Sequence, residues 1–157
     1  FMCTTSRLFG LLTLPLPGHS SGWRRAVTMI DPMEFIERVR YKFPFLEHIQ
    51  VLPLSIREGW YPIVEKFLAK LNEFYLDDPN KHQWKETFEI KTIKEKFGTL
   101  RIYYAAPITV DQQRTLSTII NESARICEVC GQSGELRTDS MGMQMRTRCG
   151  THYRLEC

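Results

Sequence analysis

The sequence predicts an α+β fold: two N-terminal helices, an antiparallel β-hairpin, a third helix and then a small C-terminal module. Three observations predict it. Apolar residues recur at helical spacing in two early segments, and they alternate at strand spacing between residues 88 and 104. After residue 126 the large apolar residues thin out, and paired Cys and His appear instead.

The first helix opens at Asp31-Pro32-Met33-Glu34. Asp31 suits the cap, Pro32 the first helical position, and Glu34 the positive end of the helix. Phe35, Ile36, Val39 and Phe43 then recur on one face, and Pro44 ends the run. Residues 49–54 read as a short extended segment. Gly59-Trp60-Tyr61-Pro62 opens the second helix, with Ile63, Phe67, Leu71, Phe74 and Tyr75 on one stripe and Glu65, Lys66, Lys70 and Glu73 opposite. Asp77-Asp78-Pro79-Asn80 stops it.

From Thr87 the period changes to two. Phe88, Ile90 and Thr92 alternate with Glu89 and Lys91, and Leu100, Ile102 and Tyr104 alternate with Arg101 and Tyr103. Lys94 to Gly98 is the expected turn of a hairpin. Thr109-Val110-Asp111-Gln112 has the form of a capping box and starts the third helix, with Leu116, Ile119, Ile120 and Ser123 facing inward.

Charge separates the N-terminal leader from the rest. The chain carries 21 Lys and Arg against 18 Asp and Glu. Residues 1–28 hold Arg7, Arg24 and Arg25 and no acid, so the remaining chain is neutral overall. The leader pairs a basic residue with the apolar run Leu8 to Leu12, as a secretory signal does, but Pro15 and Pro17 interrupt it and a small-x-small cleavage site is missing. It reads as upstream translation or a disordered extension, with a signal peptide as the alternative. The expected division is a leader over 1–28, an α+β domain over 29–126 and a module over 127–157. The sequence has no run approaching the ~20 apolar residues of a membrane span.

The C-terminal module carries the chemistry. Cys127-Glu128-Val129-Cys130 is followed by Gly131, which suits a tight thiolate knuckle. Eighteen residues later, Cys149-Gly150-Thr151-His152 repeats the two-residue gap. Such gaps let each pair approach one tetrahedral ion, and a hairpin between them can carry the second pair back to the first. The expectation is one structural zinc ion held by Cys127, Cys130, Cys149 and His152, with Cys157 as an alternative fourth ligand. Cys3 carries no argument. A redox CxxC pair normally follows a strand, whereas here a helix precedes it. A disulfide would suit an exported chain. Deaminase zinc sites need a His-x-Glu upstream and Pro before the first Cys, and both are absent, as is HEXXH.

No phosphate loop or nucleophile elbow occurs, and no catalytic residue is assigned. Trp60 reads as core, Trp84 less clearly so, and His48 and His82 lack partners that would make them a base or a ligand. Lys94, Lys96 and Arg101 around Phe97, Tyr103 and Tyr104, together with Arg146, Arg148 and Arg154, form a candidate nucleic-acid or partner contact; the bland reading is an amphipathic hairpin with one solvated face.

Four blocks carry a resemblance: Gly59–Val64, Ile93–Tyr104, Ala124–Gly131 and Arg146–His152. Together, over residues 55–153, they resemble small uncharacterised proteins encoded by bacteriophages and prophages with a C-terminal zinc-ribbon-like end. That resemblance implies a cytoplasmic protein of a bacterial host, with Cys149 and His152 as the second ligand pair, and implies no activity. The expected function is therefore non-enzymatic: binding a host or phage protein partner, including as a modulator of host defence. A nucleic-acid-binding accessory protein is the alternative.

Overall fold

The computed structural model describes residues 30–49, 52–138 and 141–154. The leader, Cys3 and Cys157 lie outside the described residues. The fold is α+β, as the hydrophobic periods predict. Helix α1 runs Pro32–Lys42, and its start is fixed by Asp31, whose Oδ1 accepts from the Met33 N–H at 2.7 Å. A 3-10 turn, Pro44–His48, follows at the proline expected to stop it. Strand β1 is short, Leu54–Ser55, and helix α2 spans Tyr61–Asp77.

Strands β2 (Glu89–Lys96) and β3 (Thr99–Ala105) pair antiparallel, and β1 joins the far side of β2 in parallel, giving the order β1-β2-β3. The expected turn at Lys94–Gly98 is too long. Lys94, Glu95 and Lys96 belong to β2, and the loop contracts to Phe97 and Gly98. Both have positive φ, at 52° and 73°, which is the backbone of a two-residue hairpin turn whose twist matches the flanking strands. Gly takes that conformation freely. Phe does not, so the turn holds an aromatic residue in a conformation costing about 1 kcal/mol.

The sheet is one-sided. Ile93 and Ile102 face each other and are buried, while Lys94 opposes Arg101 and both are exposed. Helix α2 covers the inner face with Ile63, Val64, Phe67, Leu68 and Leu71, and the Phe67 ring meets Tyr104 edge-on at 5.1 Å. Between α2 and β2 lies a helix that hydrophobic spacing did not predict, α3, His82–Thr87. It exists to bury one residue: Trp84 packs among Phe45, Tyr75 and Phe88, and its indole N–H donates to Asp78 Oδ2 at 2.8 Å. Three hydrogen bonds, first that from the Asn80 N–H and then those from Trp84 and Gln83, hold the Asp78 carboxyl below its ordinary range.

Helix α4, Val110–Asn121, has the capping box the sequence announces: Gln112 N–H donates to Thr109 Oγ1, and Thr109 N–H donates to Gln112 Oε1. It buries Leu116 and Ile119 and leads into a 3-10 turn, Glu122–Arg125. Ser123 there is fully buried and accepts the Leu100 N–H at 3.0 Å. The final module consists of the hairpin β4 (Glu135–Thr138) and β5 (Met145–Arg148), then helix α5, Gly150–Arg154.

Candidate metal centre

The module starts where Ile126 bridges Ser133 and folds the chain back on itself. Within that loop, Gly131 N–H donates to the Cys127 carbonyl at 2.9 Å, and Cys127 N–H donates to the Gln132 carbonyl at 2.8 Å. Gly131 has φ +72°, the left-handed conformation that closes the knuckle. The result points Cys127 and Cys130 to one side. The paired strands β4 and β5 lie between the two ligand pairs, as expected of a hairpin there, and β5 returns Cys149 to the knuckle. Helix α5 then carries His152 one turn beyond Cys149.

Cys127, Cys130, Cys149 and His152 converge, with one ligand atom from each lying within 4.8 Å of all the others. Cys130 Sγ stands 3.7 Å from Cys149 Sγ, and Cys127 Sγ stands 3.6 Å from His152 Nδ1. A tetrahedral ion with metal–sulfur bonds of about 2.3 Å and metal–nitrogen bonds of about 2.0–2.1 Å has edges of roughly 3.8 Å and 3.6 Å. Two of the edges match. The Cys149 Sγ to His152 Nδ1 separation, 3.1 Å, is tighter and would open slightly around an ion. The cluster is compatible with a single four-coordinate metal, with His152 presenting Nδ1.

Electrostatics sort the thiols. For Cys149, burial pushes the pKa up, but hydrogen bonds from the His152 backbone N–H and ring, with help from the neighbouring thiols, outweigh it and bring the pKa down to about 6. For Cys130, burial dominates, and with adjacent Cys127 and Cys149 it outweighs the Gln132 N–H bond, raising the pKa to about 11.

The module is docked, not appended. Gly59 N–H, just before α2, donates to the Glu128 carbonyl at 2.9 Å, and the Trp60 indole N–H donates to the Ile126 carbonyl at 2.8 Å. Trp60 is therefore core, as its position at a helix start suggested. Thr147 Oγ1 donates to the Gly98 carbonyl at 2.6 Å, and Glu128 N–H donates to the Thr147 carbonyl at 3.1 Å. One chain of bonds thus links the turn of β2–β3 to the ligand knuckle.

The candidate contact residues separate in the structure. Lys94, Lys96 and Arg101 are exposed on the open face of the sheet. Arg146 pairs with Glu95 and is half-buried. Arg148 is 1% exposed and pairs with Glu128, itself 3% exposed, so it is an internal strut rather than a surface group. Its Glu128 partner sits inside the CxxC, and sequence spacing gave no signal for that pair. Arg154 is exposed. Comparison with protein-family models, curated proteins and solved structures finds no match. No helix among the described residues is long and apolar enough to cross a membrane.

Proposed function

We propose that this chain is a zinc-stabilised, non-enzymatic protein that acts by binding another protein through the tips of its two hairpins. Zinc is favoured over iron by the Cys3His donor set, in which soft thiolates and one imidazole fill a tetrahedral sphere and leave no position for substrate or water. The metal's role is then architectural: it does for residues 127–154 what a hydrophobic core does elsewhere.

The observation that carries the binding role is an apolar patch. Phe97 is 65% exposed, and Met141 and Met143 are each 79% exposed, with Leu136 and Met145 also open to solvent. The two hairpins meet beside Phe97, because its neighbour Gly98 lies directly against Leu136 and the Met145 backbone. An aromatic residue held out to solvent in a left-handed turn is an outlier that a stability requirement does not explain. Lys96 Nζ lies 5.3 Å from the Phe97 ring centroid, so the fitting partner surface is an apolar pocket with an acidic group at its edge. The resemblance to phage-encoded proteins supports taking that partner to be a host or phage protein, met in a bacterial cytoplasm, as a modulator of host defence would meet it.

The test compares tagged wild type with Phe97→Ser in a bacterial lysate, followed by reconstitution with the purified partner. One defined partner, bound at least about tenfold more weakly by the variant at unchanged fold, supports the reading. Equal binding by both proteins refutes it. A second reading has one observation in its favour: Lys94 and Arg101 oppose each other across the exposed sheet face beside Tyr103, an arrangement suited to phosphate contact and base stacking. Binding of single-stranded nucleic acid that falls steeply with salt would favour it instead.

A further inference from the structure

Strand β3 is the long open edge of its sheet. It spans seven residues, whereas β1, at the opposite edge, has two. The hydrogen-bond phase of β3 follows from three contacts. Lys96 and Thr99 pair at the two-residue turn, so Thr99, Arg101 and Tyr103 aim their backbone groups at β2. Ile93, opposite Ile102, donates its N–H away from β3, to the Pro53 carbonyl at 2.9 Å. Leu100 donates outward, to Ser123 Oγ at 3.0 Å. Leu100, Ile102 and Tyr104 therefore share the outward phase. The Leu100 N–H is taken, but the backbone groups of Ile102 and Tyr104 reach no other element among the described residues. Beside them lies a groove of about 480 Å³, lined in part by Ile102, Tyr103, Tyr104, Ile108 and Gln113.

We propose that this edge receives an extended segment of a partner protein as a fourth strand, one that alternates acidic with small apolar side chains. An open edge is a template for pairing, and native proteins blunt it with Pro, a bulge or an inward charge. Thr99–Ala105 has none of these. It lacks Pro, and the bulge in the sheet falls on β2, between Ile90 and Thr92. Its one charge, Arg101, faces solvent, where it repels a basic strand and accepts an acidic one. Charge also selects the occupant over the whole face. The exposed side of β2 and β3 carries Lys91, Lys94, Lys96 and Arg101 against Glu89 alone. An added strand lays alternate side chains on that side, and acidic ones there meet Arg101 across the pair. Its other side chains turn toward Ile108, which packs against the core. A second copy of this chain would instead bring the same basic face alongside. Residues 102–104 lie toward the opposite end of β3 from Phe97, so this surface is separate from the hairpin tips.

The experiment is backbone-amide NMR on the full, isotope-labelled chain, titrated with a short synthetic peptide of alternating Glu and Val. The same peptide with Lys in place of Glu, and the Glu peptide N-methylated throughout its backbone, are the controls. In the free chain the Ile102 and Tyr104 amides should exchange readily with solvent. Saturation with the Glu peptide should slow both at least about tenfold. Both control peptides should bind at least about tenfold more weakly, one for want of charge match and the other for want of donors. Arg101→Glu, a surface change opposite Lys94, should weaken the Glu peptide about tenfold and strengthen the Lys peptide. Equal binding of the N-methylated peptide would reduce the contact to side chains and overturn the proposal. So would binding that leaves the two amides unprotected, or no binding by the folded chain. Protection already present in the free chain at every concentration would mean that the chain's own residues cover the edge, and protection lost on dilution would mean that a second copy does; either overturns it. A single-stranded oligonucleotide bound at Arg101 and Tyr103 in place of the Glu peptide would assign the face to nucleic acid and overturn it as well.

Discussion

Gly59 and Glu128, nearly seventy positions apart, share a backbone hydrogen bond of 2.9 Å that ties the start of α2 to the ligand knuckle. The two chains are so close that a Cβ on Gly59 would lie 2.3 Å from the Cys127 carbonyl oxygen and 2.6 Å from the Glu128 carbonyl. These are backbone atoms on both sides, so no side chain can yield. The Cys/His cluster and the core are thereby joined through the backbone.

Gly59→Ala should therefore act at a distance, on metal retention. Separating the knuckle from α2 would cost about 2–4 kcal/mol, beyond ordinary overpacking, because the Gly59 and Trp60 bonds strain together. Thermal unfolding with and without a metal chelator checks this. The variant should unfold at lower temperature and release its metal to weaker chelator. Wild-type values for both would mean that the docking contributes little.

Arg148 predicts a stability defect rather than a binding defect. Arg148→Ala leaves the buried Glu128 carboxylate with only the exposed Arg57, 3.9 Å away, as counter-charge, at a cost of about 3 kcal/mol. Arg148→Met combined with Glu128→Leu should recover most of that loss, because both desolvated charges go together. Denaturant unfolding of the single and double variants decides it. A single variant as stable as wild type would show that the pair is not a strut.

The thiols predict how metal uptake depends on pH. Free of metal, Cys149 ionises near 6 and is already a thiolate at neutral pH, whereas Cys130, near 11, keeps its proton until a metal displaces it. Ligation needs thiolates, so uptake releases protons: affinity rises with pH, most steeply below about 6 where Cys149 must also lose its proton, and keeps rising towards the Cys130 value of about 11. In metal-free protein, Cys149 should be alkylated by iodoacetamide before Cys130. Peptide mapping after limited labelling tests the order, and the reverse order would contradict the assigned electrostatics.

Local chemistry made much of this legible in the sequence. Asp31 and Thr109 cap the helices they were expected to cap, and the gap between Cys130 and Cys149 holds the paired strands β4 and β5 that such a spacing allows. What escaped was set by partners distant in the chain. Lys94 to Lys96 look like a charged turn, yet one face of β2 is solvated, so charge and strand coexist there. Trp84 lies among charged residues in a six-residue helix too short for its period to register, and Phe45 and Tyr75 bury it from elsewhere. Arg148 reads as surface charge because its partner, Glu128, reaches it only once the metal loop has closed. The parallel pairing of β1 with β2 crosses the whole of α2 and has no local signature.

The most direct measurement is metal content by elemental analysis of the full chain purified under reducing conditions, beside Cys127→Ser and His152→Ala. About one zinc per wild-type chain, lost from both variants together with cooperative unfolding, is the predicted result. Zinc retained by His152→Ala would transfer the fourth ligand to Cys157. A folded wild-type chain with no bound metal would contradict the account at its centre.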